Sequence, residues 1–201
     1  MTLVEFDALV EAKFERIIKI FTIKNKEYGT EHNALDSFVK PCMLTKKDPY
    51  QTWLGFWLKG MTTLYDMIHS NTISGEAYEE KLEDSLAYLF LLKALVENTT
   101  MSFDELLKSV NNEMNYCRKT LNKKRATYER SSDRLGMFKK NADLMKTTPE
   151  WVLVDYMVKH TYSIIDMCQG LISTSPELWT EKITDHINYL LLLFALYEDR
   201  K

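Results

Sequence analysis

Apolar residues recur at steps of three and four along most of this chain, the period of helices that bury one face. Phe6, Val10, Phe14, Ile17 and Phe21 trace the first stripe. The segment KNKEYGTEHNALDSF follows, where Gly29 and Asn33 punctuate the chain and predict a loop before a short helix around 35–39. Asp48-Pro49 and Thr148-Pro149 each place a capping side chain before a proline, which predicts the start of a long helix. Leu54, Trp57, Leu58, Met61, Tyr65 and Ile68 form the apolar face of the first of these, echoed by Val154, Met157, Val158, Ile165 and Cys168 in the second. Ser74-Gly75 and Ser175-Pro176 open two further helices running to about Glu97 and Asp199. Nothing reads as a run of paired strands, so the expected class is all-α.

The pattern occurs twice. At an offset of 100, Lys24, Tyr28, Leu35, Phe38, Pro49, Lys59 and Asp66 meet identical residues at 124, 128, 135, 138, 149, 159 and 166. After one inserted residue, Glu80, Lys81, Asp84 and Tyr88 meet Glu181, Lys182, Asp185 and Tyr189. A period this long is no solenoid repeat. It predicts two tandem, pseudo-symmetric helical-bundle repeats, 1–100 and 101–201, packed on a shared core. Each last helix is apolar on nearly every side beyond Tyr88 or Tyr189, and needs more cover than one three-helix unit supplies.

With 45% hydrophobic and 27% charged residues, the 201-residue chain can build a sizeable core under a solvated surface. Its longest apolar runs, 86–92 and 189–196, are too short to span a bilayer, so no membrane partner is expected. Cys42, Cys117 and Cys168 are odd in number and widely spaced, which fits a reducing, cytoplasmic setting and argues against a thiolate metal site. The net charge of −3 conceals a basic stretch at 118–146. That stretch is either a solvated face or a surface for phosphate, and it does not amount to an extended nucleic-acid interface.

Candidate chemistry gathers on the last helix of each repeat. Glu80, Asp84, Tyr88, Leu91 and Leu95 follow one another at four, four, three and four, as do Glu181, Asp185, Tyr189, Leu192 and Leu196, so carboxylates and a phenol share a stripe with leucines that must be buried. A carboxylate there needs a partner. Lys59 and Lys159 are the candidates, although each lies largely opposite the main apolar stripe of its helix. Two readings are open: a structural Lys–Asp pair capped by tyrosine, or a polar pocket in which lysine meets phosphate, carboxylates hold a sugar hydroxyl or a metal, and Tyr28 or Tyr128 stacks on a base. His32, His69, His160 and His186 have no histidine counterparts and read as surface or satisfied residues, with His160 and His186 placed to approach a second-repeat pocket. The basic stretch makes the second repeat the first choice for an anionic ligand. Trp53, Phe56, Trp57, Trp151 and Tyr156 read as core or interface.

The sequence K-N-K-E-Y-G at 24–29, a mid-helix lysine, and E-K-x-x-D-x-x-x-Y opening the last helix resemble the phage-associated family called nucleotide modification associated domain 1. The likeness covers nearly the whole chain. The second repeat departs from it at Glu129 and Asp133, where the first has Gly29 and Asn33. Joined to the polar pocket read from the repeated residues, the resemblance points to a nucleotide or other phosphate-bearing small molecule as the ligand of Lys59, Asp84, Tyr88, Tyr28 and Asn33, and of Lys159, Asp185, Tyr189, Tyr128 and His160. It also implies an accessory role in phage nucleotide or DNA-modification metabolism, in the host cytoplasm.

A more distant similarity is to the all-α nucleoside triphosphate pyrophosphohydrolases of the MazG and dimeric dUTPase type. Glu79-Glu80-Lys81-Leu82-Glu83 spells their EExxE, and Glu80, Asp84, Glu181 and Asp185 would be the oxygen ligands for Mg²⁺. No ExxD follows on a later helix of that repeat, which leaves the ligand set thin. A third reading is a non-catalytic protein that sequesters a signal nucleotide or inhibits a host protein. Homo-oligomerisation is compatible with all three.

Overall fold

The computed structural model describes the backbone of residues 1–28, 32–73, 75–128 and 133–201, and the side chains of these apart from 25–28 and 124–128. It is all-helical among those residues: α1 (Leu3–Tyr28), α2 (Asp36–Val39), α3 (Cys42–Thr45), α4 (Pro49–His69), α5 (Gly75–Glu97), α6 (Phe103–Tyr128), α7 (Gly136–Met145), α8 (Pro149–Cys168) and α9 (Pro176–Asp199). The first helix is longer than its apolar stripe predicts, continuing through 24–28 into the segment expected to be a loop.

Local chemistry explains most of the ends. Asp48 accepts from the Gln51 amide while the Gln51 side chain accepts from Asp48 N–H, a reciprocal capping box ahead of Pro49. Thr148 and Ser175 cap α8 and α9 ahead of prolines. Thr2 with Glu5, and Ser102 with Glu105, tie the entries of α1 and α6 with matching bonds. The region that is one helix in the second half, α7, is broken into α2 and α3 in the first. Pro41 stands there where the second half has Asn141, and a proline lacks the N–H that would continue the helix.

Helices α5 and α9 pack together at the centre, α4 covers α5, α8 covers α9, and α4 also touches α8. Each central helix thus meets its sequence counterpart in the other half. The connections are reciprocal as well. Ala34 N–H donates to the Met101 carbonyl at 2.8 Å, and Arg134 N–H donates to the Met1 carbonyl at 3.0 Å, so the loop of each half is pinned to the first helix of the other. One continuous apolar core runs through both halves, with Trp53, Trp57, Phe14, Phe90 and Phe194 fully enclosed. Cross-half contacts include Tyr50 stacked on Trp179 at 5.7 Å and a 2.7 Å bond between the Tyr65 and Thr161 hydroxyls. Burial of the Tyr65 phenol pushes its pKa up to about 12.

Candidate ligand cavity and its counterpart

A cavity of about 290 Å³ opens in the first half between α1, α2, α4 and α5, closed on one side by Leu106 of α6. Its walls are mainly apolar. Phe21, Phe38, Phe56 and Tyr88 supply aromatic surface, with Phe38 edge-on to Phe56 at 6.2 Å and to Tyr88 at 6.3 Å. Ala34 and Ala87 line it with small side chains, and Ser37 is a third small lining residue. Lys24 and Asp84 form the charged edge, 3.5 Å apart, with Lys81 3.7 Å from the other oxygen of Asp84. An apolar, aromatic recess with a few converging polar groups is the usual form of a small-molecule site.

Asp84 and Tyr88 therefore come together as the sequence suggests, but with a different lysine. Lys59 and Lys159 are exposed on the outer faces of α4 and α8, away from this cavity. The helical period decides it: Trp57, Met61 and Leu64 point inward, and position 59 falls opposite them. Lys24 holds the charge instead, because α1 continues long enough to carry it beside α5. Asn33 is committed to the fold. Its side-chain oxygen accepts from the Leu35 and Met101 amides and its nitrogen donates to the Thr99 carbonyl. The expected stacking residues Tyr28 and Tyr128 have side chains outside the described residues.

In the second half, Asp185 and Tyr189 gather around His160. The His160 Nδ1 lies 3.7 Å from Asp185, and its ring sits 5.4 Å from that of Tyr189. His186 corrects the expectation of a surface or satisfied residue. It is fully buried against Trp57, ring centroids 5.1 Å apart, and neither ring nitrogen has a hydrogen-bond partner among the described residues. Burial, helped by His160, pulls its pKa down to about 3, so it is neutral at ordinary pH. Trp57 and Trp53 are core as expected, whereas Phe56 and Tyr156 are about half exposed.

The metal set does not assemble. Glu80 and Asp84 line different recesses, Glu80 and Glu181 are largely exposed beside Lys81 and Lys182, and among the described residues no three metal-type donors converge. In EExxE itself, Lys13 lies 2.5 Å from Glu79 and 3.5 Å from Glu83, and Arg16 lies 3.2 Å from Glu83. The Lys13 ammonium holds the Glu79 carboxyl below its ordinary pKa. Cations of the chain itself thus occupy the carboxylates that a magnesium ion would need.

The basic stretch is also partly spent on structure. Arg118 makes a two-pronged pair with Glu11 at 2.6 and 2.7 Å, Lys139 bridges Asp133 and Asp199, and the Arg134 guanidinium lies over the Phe6 ring at 5.0 Å. The Arg118 and Arg134 contacts tie the halves together, while the Lys139 bridge lies within the second. No protein-family model, curated protein or solved structure matches this chain. No helix among the described residues is long and apolar enough to cross a membrane.

Sequence reasoning missed Ala34, Phe38, Ala87 and Leu106 as site residues. A signal was present in the repeat: the counterparts of Ala34, Ser37, Ala87 and Leu106 are Arg134, Met137, Asn188 and Phe6, all larger.

Proposed function

We propose that this protein binds a nucleotide or nucleotide-derived small molecule in the first-half cavity, as an accessory to phage nucleotide or DNA-modification metabolism. The observation that carries the reading is the cavity's make-up: aromatic walls of Phe38, Phe56 and Tyr88 beside a Lys24–Asp84 edge. At about 290 Å³ the space is near the lower end of small-molecule pockets, roughly 300–1,000 Å³, which fits a base or nucleoside with its phosphates left outside. Aromatic faces stack on any base, the Asp84 carboxylate accepts from base or sugar N–H and O–H groups, and the Lys24 ammonium faces phosphate. The phage setting and the nucleotide class rest on the family resemblance.

The pairing of Glu79 and Glu83 with Lys13 and Arg16 weighs against Mg²⁺-dependent pyrophosphohydrolysis. Nucleoside mono-, di- and triphosphates offered with Mg²⁺, followed by calorimetry and by mass spectrometry of the recovered ligand, test the reading. Saturable binding with the ligand recovered intact is expected. Steady release of pyrophosphate or phosphate would replace binding by hydrolysis, and no binding of any nucleotide would overturn the nucleotide class.

A further inference from the structure

The two halves hold the same loop in the same place and differ in what projects from it. Ala34 and Arg134 are anchored by equivalent backbone bonds to Met101 and Met1, and the same loops are closed by equivalent bonds from the Leu35 and Leu135 amides to Asn33 and Asp133. In the first half Ala34 and Leu106 line open space. In the second half the corresponding pair is Arg134 and Phe6, and the guanidinium lies over the ring at 5.0 Å with its Nε buried. The Arg134 side chain therefore passes through the region that corresponds to the part of the cavity between Ala34 and Leu106. Asn188 for Ala87 adds a larger, buried side chain at a second matching position. At the far end the difference reverses, since Thr120 and Leu121 stand for Ile20 and Phe21, so it is the Arg134 side of the space that is filled.

We infer that the second half carries the same site closed by its own Arg134, and that the first-half site takes a planar, delocalised, N–H-bearing heterocycle in the place the guanidinium holds. A guanidinium is flat, weakly hydrated and rich in N–H donors, and it stacks on apolar and aromatic walls. A group with those properties meets the same kind of wall in the first half, with the Asp84 carboxylate at the edge to accept its N–H. The N–H of thymine and uracil is flanked by two carbonyl oxygens that a carboxylate repels, so among nucleotides this favours bases with an exocyclic amino group, adenine, guanine and cytosine. This inference deepens the nucleotide reading and rests on it only for the choice of base, since the occlusion by Arg134 stands on geometry alone.

The test uses the full chain, the double variant Ala34→Arg/Leu106→Phe, which recreates the second-half pair in the first, and two kinds of probe. One is a set of five nucleoside 5′-monophosphates, and the other is indole alongside N-methylindole, followed by calorimetry and ligand-observed NMR. Wild type is expected to bind one indole per chain more tightly than N-methylindole, and to prefer the adenine, guanine and cytosine monophosphates. The double variant should weaken both kinds of binding on the order of 100-fold, about 2.7 kcal/mol. Ala87→Asn is a second way to fill the cavity should the double variant fail to show a cooperative thermal transition. Indole bound and expelled, with no nucleotide bound, would refute the nucleotide reading and leave the site inference standing. Nucleotide bound equally by wild type and filled variants would overturn the site inference and leave nucleotide binding elsewhere on the chain. Two indoles per chain in wild type, or none, would overturn the site inference.

Discussion

Position 13 and its counterpart 113 lie at the same point on α1 and α6, both nearly buried, and the halves satisfy them in opposite ways. Lys13 is cationic and reaches Glu79 and Glu83 of α5. Glu113 is acidic, and its carboxyl lies 2.5 Å from the hydroxyl of Thr184, the residue that stands where Glu83 does in the first half. That hydroxyl is also 2.6 Å from the Thr180 carbonyl. A hydroxyl has a single proton, so both bonds are made only if Glu113 is protonated and donates to Thr184, which then donates to Thr180. Burial raises the Glu113 pKa in the direction this arrangement requires. The shared helix frame fixes where a polar side chain must be satisfied, while the chemistry of the partner is free to diverge, and the cavity and its Arg134-filled counterpart follow the same rule.

The hardest way to break the comparison is to separate its members. Because the core is continuous and each loop is pinned to the other half, fragment 1–100 is expected to lack a cooperative thermal transition by circular dichroism. A soluble, monomeric fragment that melts cooperatively would deny the shared core. Next comes the α1–α5 contact within the first half. Lys13→Ala leaves Glu83 to Arg16 and Glu79 to Lys201, 3.7 Å away, at an expected cost of about 2 kcal/mol in denaturant titration, below the roughly 3–5 of a fully buried pair because Glu79 reaches solvent. Glu113→Gln should instead be tolerated. The Glu113 carboxyl titrates above the unfolded value, so its contribution is whole at acid pH and is lost as pH rises through the folded pKa; the variant should lose that dependence.

His186 and its counterpart Ser85 sharpen the comparison at the centre. The folded pKa of His186, about 3, lies below the ordinary 6.5, so its share of stability is whole above pH 6.5 and falls as pH drops through that window. At pH 5 the penalty is about 2 kcal/mol relative to neutral pH. His186→Leu should remove that part of the acid sensitivity, read from denaturation midpoints at pH 5 and pH 7. An unchanged pH slope would mean that His186 does not stay neutral in the folded chain.

Smaller effects test the periphery. Tyr65→Phe removes the hydroxyl bond to Thr161 between the halves and should cost about 1 kcal/mol. Lys59→Ala and Lys159→Ala should change stability by less than about 0.5 kcal/mol and leave ligand affinity unaltered, since both are exposed and outside the cavity. Loss of binding in either would restore them to the site.

The helices were legible because periodicity, caps and prolines report burial and chain geometry directly, and the repeat revealed which helices correspond. The site was half legible. Asp84 and Tyr88 stand out at helical spacing on an apolar helix, whereas choosing Lys24 over Lys59 required knowing that α1 runs through 24–28 and where it crosses α5. His186 shows the same limit, for nothing in its neighbours along the chain announces that it packs under Trp57. A cavity is an absence of side chains, and Ala34 and Ala87 become informative only once Arg134 and Asn188 are seen to occupy the matching positions.

Xenon enters apolar cavities without needing a polar partner, so a xenon-pressurised crystal distinguishes the two halves directly. A xenon peak is expected between Ala34, Phe38 and Leu106, with none between Arg134, Phe138 and Phe6. Comparable xenon occupancy in both halves, or xenon only in the second, would contradict the assignment of an open site to the first half and a filled one to the second.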